Sequence, residues 1–228
     1  HFRQLFKILE LLKFKAAKKS YHLSYGLISL PSGRMKSREG TIVDADNLME
    51  EVVNLASKEV KKRHGRISKK ELEKRAEIIG LGALKFFILK YDSKTSFVYD
   101  QDKALQFEGD TGPYIQYTHA RLSSVIGKKL KSSTFDADKL DTEEEQNLIS
   151  KIAQFPDLVI KSAEEYKPSL IANYLLELSR LTNEFYHKHQ ILKAELNTKK
   201  ARLVLAKSIA QVIKNGLNLL GISAPESM

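Results

Sequence analysis

Gln106-Phe-Glu-Gly-Asp-Thr-Gly-Pro-Tyr-Ile-Gln-Tyr-Thr-His-Ala-Arg-Leu-Ser-Ser124 decides how this chain is read, because the local pattern changes inside it. Leu105 to Gly112 is irregular and carries Gly109 and Gly112. Pro113 then suits the first turn of a helix, where its missing N–H is not needed, and Ile115, Leu122, Val125 and Ile126 repeat on one side. From here to the end nearly everything follows a helical pattern. Asp136 to Thr142 is an acidic linker before a helix beginning near Glu143, and Pro156 and Pro168 mark the starts of the next two. A last helix, roughly Thr198 to Asn215, buries Leu205, Ile209, Val212 and Ile213, with Gly216 or Gly221 ending it. Four to five helices of this length with short links predict a bundle.

Upstream of that stretch the chain mixes element types. Thr95 to Tyr99 reads as a strand. Ser68-Lys69-Lys70-Glu71 is a capping-box pattern ahead of a long helix with Ala76, Ile79, Leu84, Phe87 and Ile88 on its buried stripe. Asp44 or Asp46 can cap an earlier helix, with Leu48, Val52, Val53, Leu55 and Val60 apolar, that runs to Gly65. Lys61 to Lys70 forms a solvated connection between the two. Thr41 to Val43 is a short extended step, and His22 to Leu30 alternates apolar and polar residues into the turn Pro31-Ser32-Gly33. The chain opens inside an amphipathic pattern, Phe2, Leu5, Phe6, Leu9 and Leu12, with no cap before it, and so reads as a piece of a longer protein.

The segment Gly33-Arg-Met-Lys-Ser-Arg-Glu-Gly40 places three cations in a loop bounded by glycines, between a strand and a helix. Glycine lets backbone N–H groups turn toward a ligand, and Arg34, Lys36 and Arg38 supply charge-assisted donors worth about 1.5–3 kcal/mol each when well placed. Phosphate is the ligand this suits, although a basic turn on an ordinary surface has the same composition. With 228 residues, 42% hydrophobic content and five prolines, the chain can build one large or two modest cores. Its net charge of +10 makes a polyanion the leading partner class, with a membrane surface as the rival. No apolar run approaches the roughly 18 residues needed to span a bilayer, so a soluble, intracellular protein is expected. The absence of cysteine excludes disulfides, thiolate zinc sites and cysteine nucleophiles. His187 and His189 point in different directions on a helix, and His1, His22, His64 and His119 lack a carboxylate at ligand spacing, so no metal site is expected.

Residues 106–124, quoted above, and the terminal run Lys214-Asn-Gly-Leu-Asn-Leu-Leu-Gly-Ile-Ser-Ala-Pro-Glu-Ser-Met228 closely resemble the C-terminal half of arginyl-tRNA synthetases. The resemblance extends over essentially the whole chain. His1-Phe-Arg-Gln-Leu-Phe6 is similar to a late helix of that family's class I catalytic domain, and Asn183-Glu-Phe-Tyr186 to its anticodon-binding bundle. The resemblance implies a mainly α chain: the tail of a Rossmann-type catalytic domain over 1–45, a helical connecting and tRNA-stem-contact segment over 46–108, and an all-helical anticodon-binding domain over 109–228. It implies an ATP-dependent ligase that activates arginine and transfers it to its tRNA, cytoplasmic and monomeric, with Mg2+ carried by the nucleotide and no membrane partner.

The Gly33–Gly40 loop falls where that family carries its version of the Lys-Met-Ser-Lys-Ser signature. Arg34 takes the first lysine, Lys36 stands where serine is usual, and Ser37 occupies the second lysine position, a departure the family often makes. Arg34, Lys36 and Arg38 are jointly the catalytic candidates, with Gly33, Met35 and Ser37 completing the ATP loop. The first signature and the arginine-recognising carboxylate would lie before His1, so this segment alone is expected to be inactive.

Unpaired anticodon bases can be stacked on aromatic faces while Lys and Arg hold their phosphates. Tyr114 and Tyr117 lie three apart, with Arg121 a turn further on the same face, and Tyr186 ends another helix beside Lys188 and His189. Tyr114, Arg121, Tyr186 and Met228 are the RNA-binding candidates that the resemblance supports, whereas Tyr117 and Phe185 are assigned to packing. Lys128, Lys129 and Lys131 would follow backbone, and Asp110 and Glu108 would brace the Gly-rich turn. Asn183 could bond a base edge or the adjacent helix. The alternative is a non-catalytic tRNA-binding module derived from a synthetase, which would have no reason to keep the phosphate loop.

Overall fold

Local capping chemistry starts most of the helices. The computed structural model describes residues 1–31, 33–34, 44–63, 66–127 and 134–228, with the backbone alone at Leu30, Gly33, Arg34 and Gln101. Its first helix is α1, Phe2–Leu11. Asp44 Oδ1 accepts from the Asp46 N–H at 2.8 Å and opens α2, Ala45–Arg63. Ser68 Oγ accepts from the Glu71 N–H at 3.3 Å and opens α3, Lys69–Leu89. After the short α4, Gln101–Ala104, Thr111 Oγ1 accepts from the Tyr114 N–H at 3.2 Å and opens α5, Gly112–Ile126, with Pro113 in its first turn. The Glu145 carboxylate accepts from the Thr142 N–H at 3.1 Å at the head of α6, Glu143–Ala153. Pro156 and Pro168 lie in the first turns of α7, Phe155–Glu164, and α8, Pro168–Lys188.

The last helix, α9, spans Leu196–Leu219 and is longer than its apolar pattern. Gly216 does not end it. That glycine is inside the helix, where a Cβ would come within 2.7 Å of Leu175 on α8, and the chain leaves the helix at Gly221, φ +67°.

Two packed units share α3. The helices α2 and α3 run antiparallel, since Val60 and Leu72 meet in one cluster and Val52 and Leu84 in another. Gly80 lets the α3 backbone close on Val52. The C-terminal bundle has one core, with Ile115 and Leu122 from α5, Leu148 from α6, Leu175 and Leu178 from α8, and Ile209 and Ile213 from α9. Phe86 carries α3 into this core, and Gly112 sits against the Gly82 carbonyl. Ile88, expected inside, is exposed, because Phe86 and Phe87 take the buried side of that turn.

A small sheet ties the early and middle chain together. Strand β1, Ile28–Leu30, lies between β2, Gly33–Arg34, and β3, Phe97–Val98. Ser29 pairs with Arg34 in the antiparallel ladder and with Val98 in the parallel one. The strands are shorter than the alternation in 22–30 and 95–99 predicts, since a ladder extends only as far as its two-residue partner. Gly33 and Arg34, expected in the loop, are therefore strand residues. The helix α1 forms as expected, but Phe2, Leu5, Ile8 and Leu11 on it are exposed. Among the described residues no helix is long and apolar enough to cross a membrane, and no group of three or more His, Asp or Glu could hold a metal ion.

Candidate nucleic-acid interface

The face of α5 that turns away from α3 meets α8. Gln116 and His119 fix that orientation from the other side: the Gln116 amide donates to the Ile78 and Ser223 carbonyls at 3.2 and 2.9 Å, and His119 Nδ1 is 2.8 Å from the Pro225 carbonyl. Burial keeps the imidazole below its usual titration range. Tyr114, Tyr117, Thr118 and Arg121 are thereby directed to α8, where Asn183 and Tyr186 stand a turn apart.

These side chains form one polarised cluster. Arg121 Nη1 donates to Asn183 Oδ1 at 2.9 Å, and a guanidinium has only donors, so the carboxamide oxygen must face it. The Asn183 NH2 is then turned to Tyr114 Oη at 2.9 Å and Thr118 Oγ1 at 3.0 Å. Thr118 spends its own proton on the Tyr114 carbonyl at 2.9 Å. Tyr114 Oη thus accepts from Asn183, and its O–H has no acceptor among the described residues. The Arg121 guanidinium lies 4.7 Å from the Tyr117 ring centre and 5.0 Å from that of Tyr186, with no carboxylate within 4 Å among the described residues. Two tyrosine rings, an unneutralised guanidinium and a phenolic donor are what stacking and anchoring an unpaired nucleotide require.

Three of the four RNA-binding candidates are brought together: Tyr114, Arg121 and Tyr186. Met228 is elsewhere, packed on the α2–α3 cluster around Ile79 and Leu105, because the tail from Gly221 crosses α5 on its α3 side. Phe185 is fully buried as assigned, but Tyr117 is 37% exposed and belongs to the cluster. Asn183 bonds the adjacent helix through both ends of its amide, the central role that its sequence position left open. The one signal in the sequence was its place at helical spacing from Tyr186.

The surrounding charges are largely neutralised within the protein. Lys188 Nζ bonds Glu144 at 2.6 Å and Glu184 at 2.8 Å, and His189 Nε2 is 3.1 Å from Glu144. Lys188 above all, with His189, holds the Glu144 carboxyl down at about 2. Asp110 pairs with Arg180, and its carbonyl accepts from Lys90 Nζ at 2.9 Å, so it braces the glycine turn as expected. Met35, Lys36, Ser37 and Arg38, together with Lys128, Lys129 and Lys131, lie outside the described residues, and Arg34 is described by its backbone alone.

Residues 115–228 match the DALR anticodon binding domain family, and residues 1–101 match the family of class I (R) tRNA synthetase catalytic domains. Over its whole length the chain is 44% identical to the arginine–tRNA ligase of Flavobacterium psychrophilum and 42% identical to that of Bacteroides thetaiotaomicron, covering 38% and 40% of them. The chain thus spans about two fifths of the length of these curated relatives. Its fold superposes on the arginyl-tRNA synthetase of Thermus thermophilus with a TM-score of 0.87 at 32% identity, covering 96% of this chain and 38% of that one.

Proposed function

From the premise that this chain belongs to the DALR anticodon binding domain family and carries ahead of it the end of a class I (R) tRNA synthetase catalytic domain, we propose that it is the tRNA-reading part of an arginine–tRNA ligase. The observation that carries this reading is the Tyr114–Asn183–Arg121 cluster with its two tyrosine rings, which lies on α5 and α8 inside the matched anticodon-binding segment. In this reading the tRNA for arginine presents unpaired anticodon bases to Tyr117 and Tyr186, Arg121 neutralises the adjoining phosphate, and Tyr114 donates to a base or phosphate oxygen. Met228 acts at a distance, by holding the tail against α2 and α3.

The longer enzyme activates arginine with ATP and transfers it to that tRNA in the cytoplasm, acting as a monomer. Arg34, Lys36 and Arg38 steady negative charge on the departing pyrophosphate, with Gly33, Met35 and Ser37 shaping the loop around the nucleotide and its Mg2+. Arg34→Ala with Lys36→Ala in the longer ligase should slow ATP–pyrophosphate exchange by about tenfold or more. Tyr186→Ala should weaken binding of tRNA for arginine by about 1–3 kcal/mol with the thermal melt unchanged. Normal affinity in that variant would return Tyr186 to packing.

A further inference from the structure

Two described residues other than glycine hold left-handed backbone, Lys13 at φ +55° and Tyr166 at φ +54°. For a side chain as bulky as tyrosine that conformation is strained, whereas glycine takes it freely. Tyr166 stands at the corner between α7 and α8. The Lys167 N–H donates to the Ser162 carbonyl at 2.9 Å, the Tyr166 N–H to the Ala163 carbonyl at 3.3 Å, and Ser162 Oγ to the Lys167 carbonyl at 2.8 Å. This is the helix ending in which glycine usually occupies the left-handed position. Backbone and Ser162 close the corner, so the turn has no use for the ring at 166.

The ring meets Tyr21 instead. The two ring centres are 4.3 Å apart with their planes 13° from parallel. Each tyrosine is about half exposed, Tyr21 at 54% and Tyr166 at 51%, so the contact is a surface clasp and no part of the bundle core. Tyr21 lies in the segment matched to the synthetase catalytic domain, and Tyr166 in the segment matched to the anticodon-binding domain. A strained backbone kept at a residue whose side chain crosses between two units points to a role for the crossing.

Both sides of the clasp are well founded. Beyond Tyr21 the Gly26 N–H donates to the Ser93 carbonyl at 2.7 Å and the Leu27 N–H to Ser96 Oγ at 3.0 Å, and the chain then enters β1, whose other neighbour is β2 at the root of the phosphate loop. Tyr166 stands at the head of α8, and Asn183 and Tyr186 lie near its far end. Between them Asn173 donates its NH2 to the Lys90 carbonyl at 3.2 Å and so seats α8 on the end of α3. α8 is about 30 Å long, so a tilt of about 5° at the corner would carry Tyr186 about 2–3 Å.

We propose that Tyr166 is a positioning residue whose stack on Tyr21 holds the anticodon-reading end of α8 at the angle to the catalytic part that one tRNA needs to engage both. This rests on the tRNA reading above, in which a single tRNA meets the bundle through its anticodon and the catalytic part through the end that receives arginine.

The test uses the longer ligase with Tyr166→Gly, Tyr21→Ala, their double variant and Tyr166→Phe. Charging of a transcript of tRNA for arginine is compared with binding of the isolated anticodon stem-loop, which touches the bundle alone. Each of the first two variants should lower kcat/KM for the transcript by about threefold to tenfold, through KM for the transcript and with KM for ATP unchanged. The double variant should lose no more than either single one, since both remove the same contact. Tyr166→Phe keeps the ring and should charge like the parent. Stem-loop affinity should be unchanged throughout, a result that damage to the bundle would not give. Tyr21→Ala leaves the backbone of the corner as it is, so it tests the clasp even if Tyr166→Gly alters the thermal melt. Parental charging by Tyr21→Ala overturns the proposal, as do losses that add in the double variant or a fall in stem-loop affinity that matches the fall in charging. Failure of the stem-loop to bind the parent ligase would overturn the tRNA reading itself and this proposal with it, and that measurement tells the two failures apart.

Discussion

Asn183 turns a hydrogen-bonding network into a directional one. Because Arg121 can only donate, the amide cannot flip, and the phenol of Tyr114 is left with a proton to give. Tyr114→Phe should therefore weaken tRNA binding by several-fold, about the 0.5–1.5 kcal/mol of one hydrogen bond, with little change in the melt. Asn183→Asp removes both amide protons, so the phenol turns inward to the new carboxylate, which also neutralises Arg121. Binding measured by filter retention should fall further in this variant than in Tyr114→Phe. Equal affinity in the two variants would remove the orienting role of Asn183.

Between elements, the join of α6 to α8 is electrostatic at the surface. Lys188 and His189 hold the Glu144 carboxyl at about 2 instead of its ordinary 4.5. A carboxylate depressed in the folded state stabilises above the unfolded value, and that contribution disappears as pH drops through the folded value. Glu144→Gln should flatten the fall in melting temperature between about pH 4.5 and 2, as recorded by circular dichroism. A fall as steep as the parent's would mean that the pair is solvent-screened. Element boundaries were legible in the sequence where a cap is local: Asp44, Ser68 and the prolines mark helix starts within a residue or two. The strands were not, because their length depends on partners some seventy positions away, as in the Ser29–Val98 pairing.

Across the whole molecule, polar residues set the orientation of α5. Gln116 and His119 are almost completely buried, a placement that composition argues against. Their partners are carbonyls of Ser223 and Pro225, 107 and 106 residues away. The sequence therefore assigned Tyr117 to the inside and left Met228 with the RNA, since nothing local reveals a tail that supplies the partners for buried polar groups. Removing residues 222–228 should leave His119 without its partner, at about 1–3 kcal/mol, and take from Gln116 one of its two acceptors while the Ile78 carbonyl stays, and should lower the urea midpoint accordingly. A midpoint equal to the parent's would make the tail a passenger. Tyr114, Arg121 and Tyr186 were singled out on the family resemblance, since helical spacing of aromatic residues marks a packed face as readily as a binding one, and only the fold could show Asn183 joining them.

The side-by-side pairing of β1 with β3 means that the chain departs toward α2 and comes back from α3 at nearly the same spot. The excursion between is a closed arm on a fixed root. Helical turns could be added or deleted at its far end without disturbing the sheet or the Gly82–Gly112 seam, which leaves evolution free to adjust the arm's length as a spacer while everything anchored at its base stays in alignment.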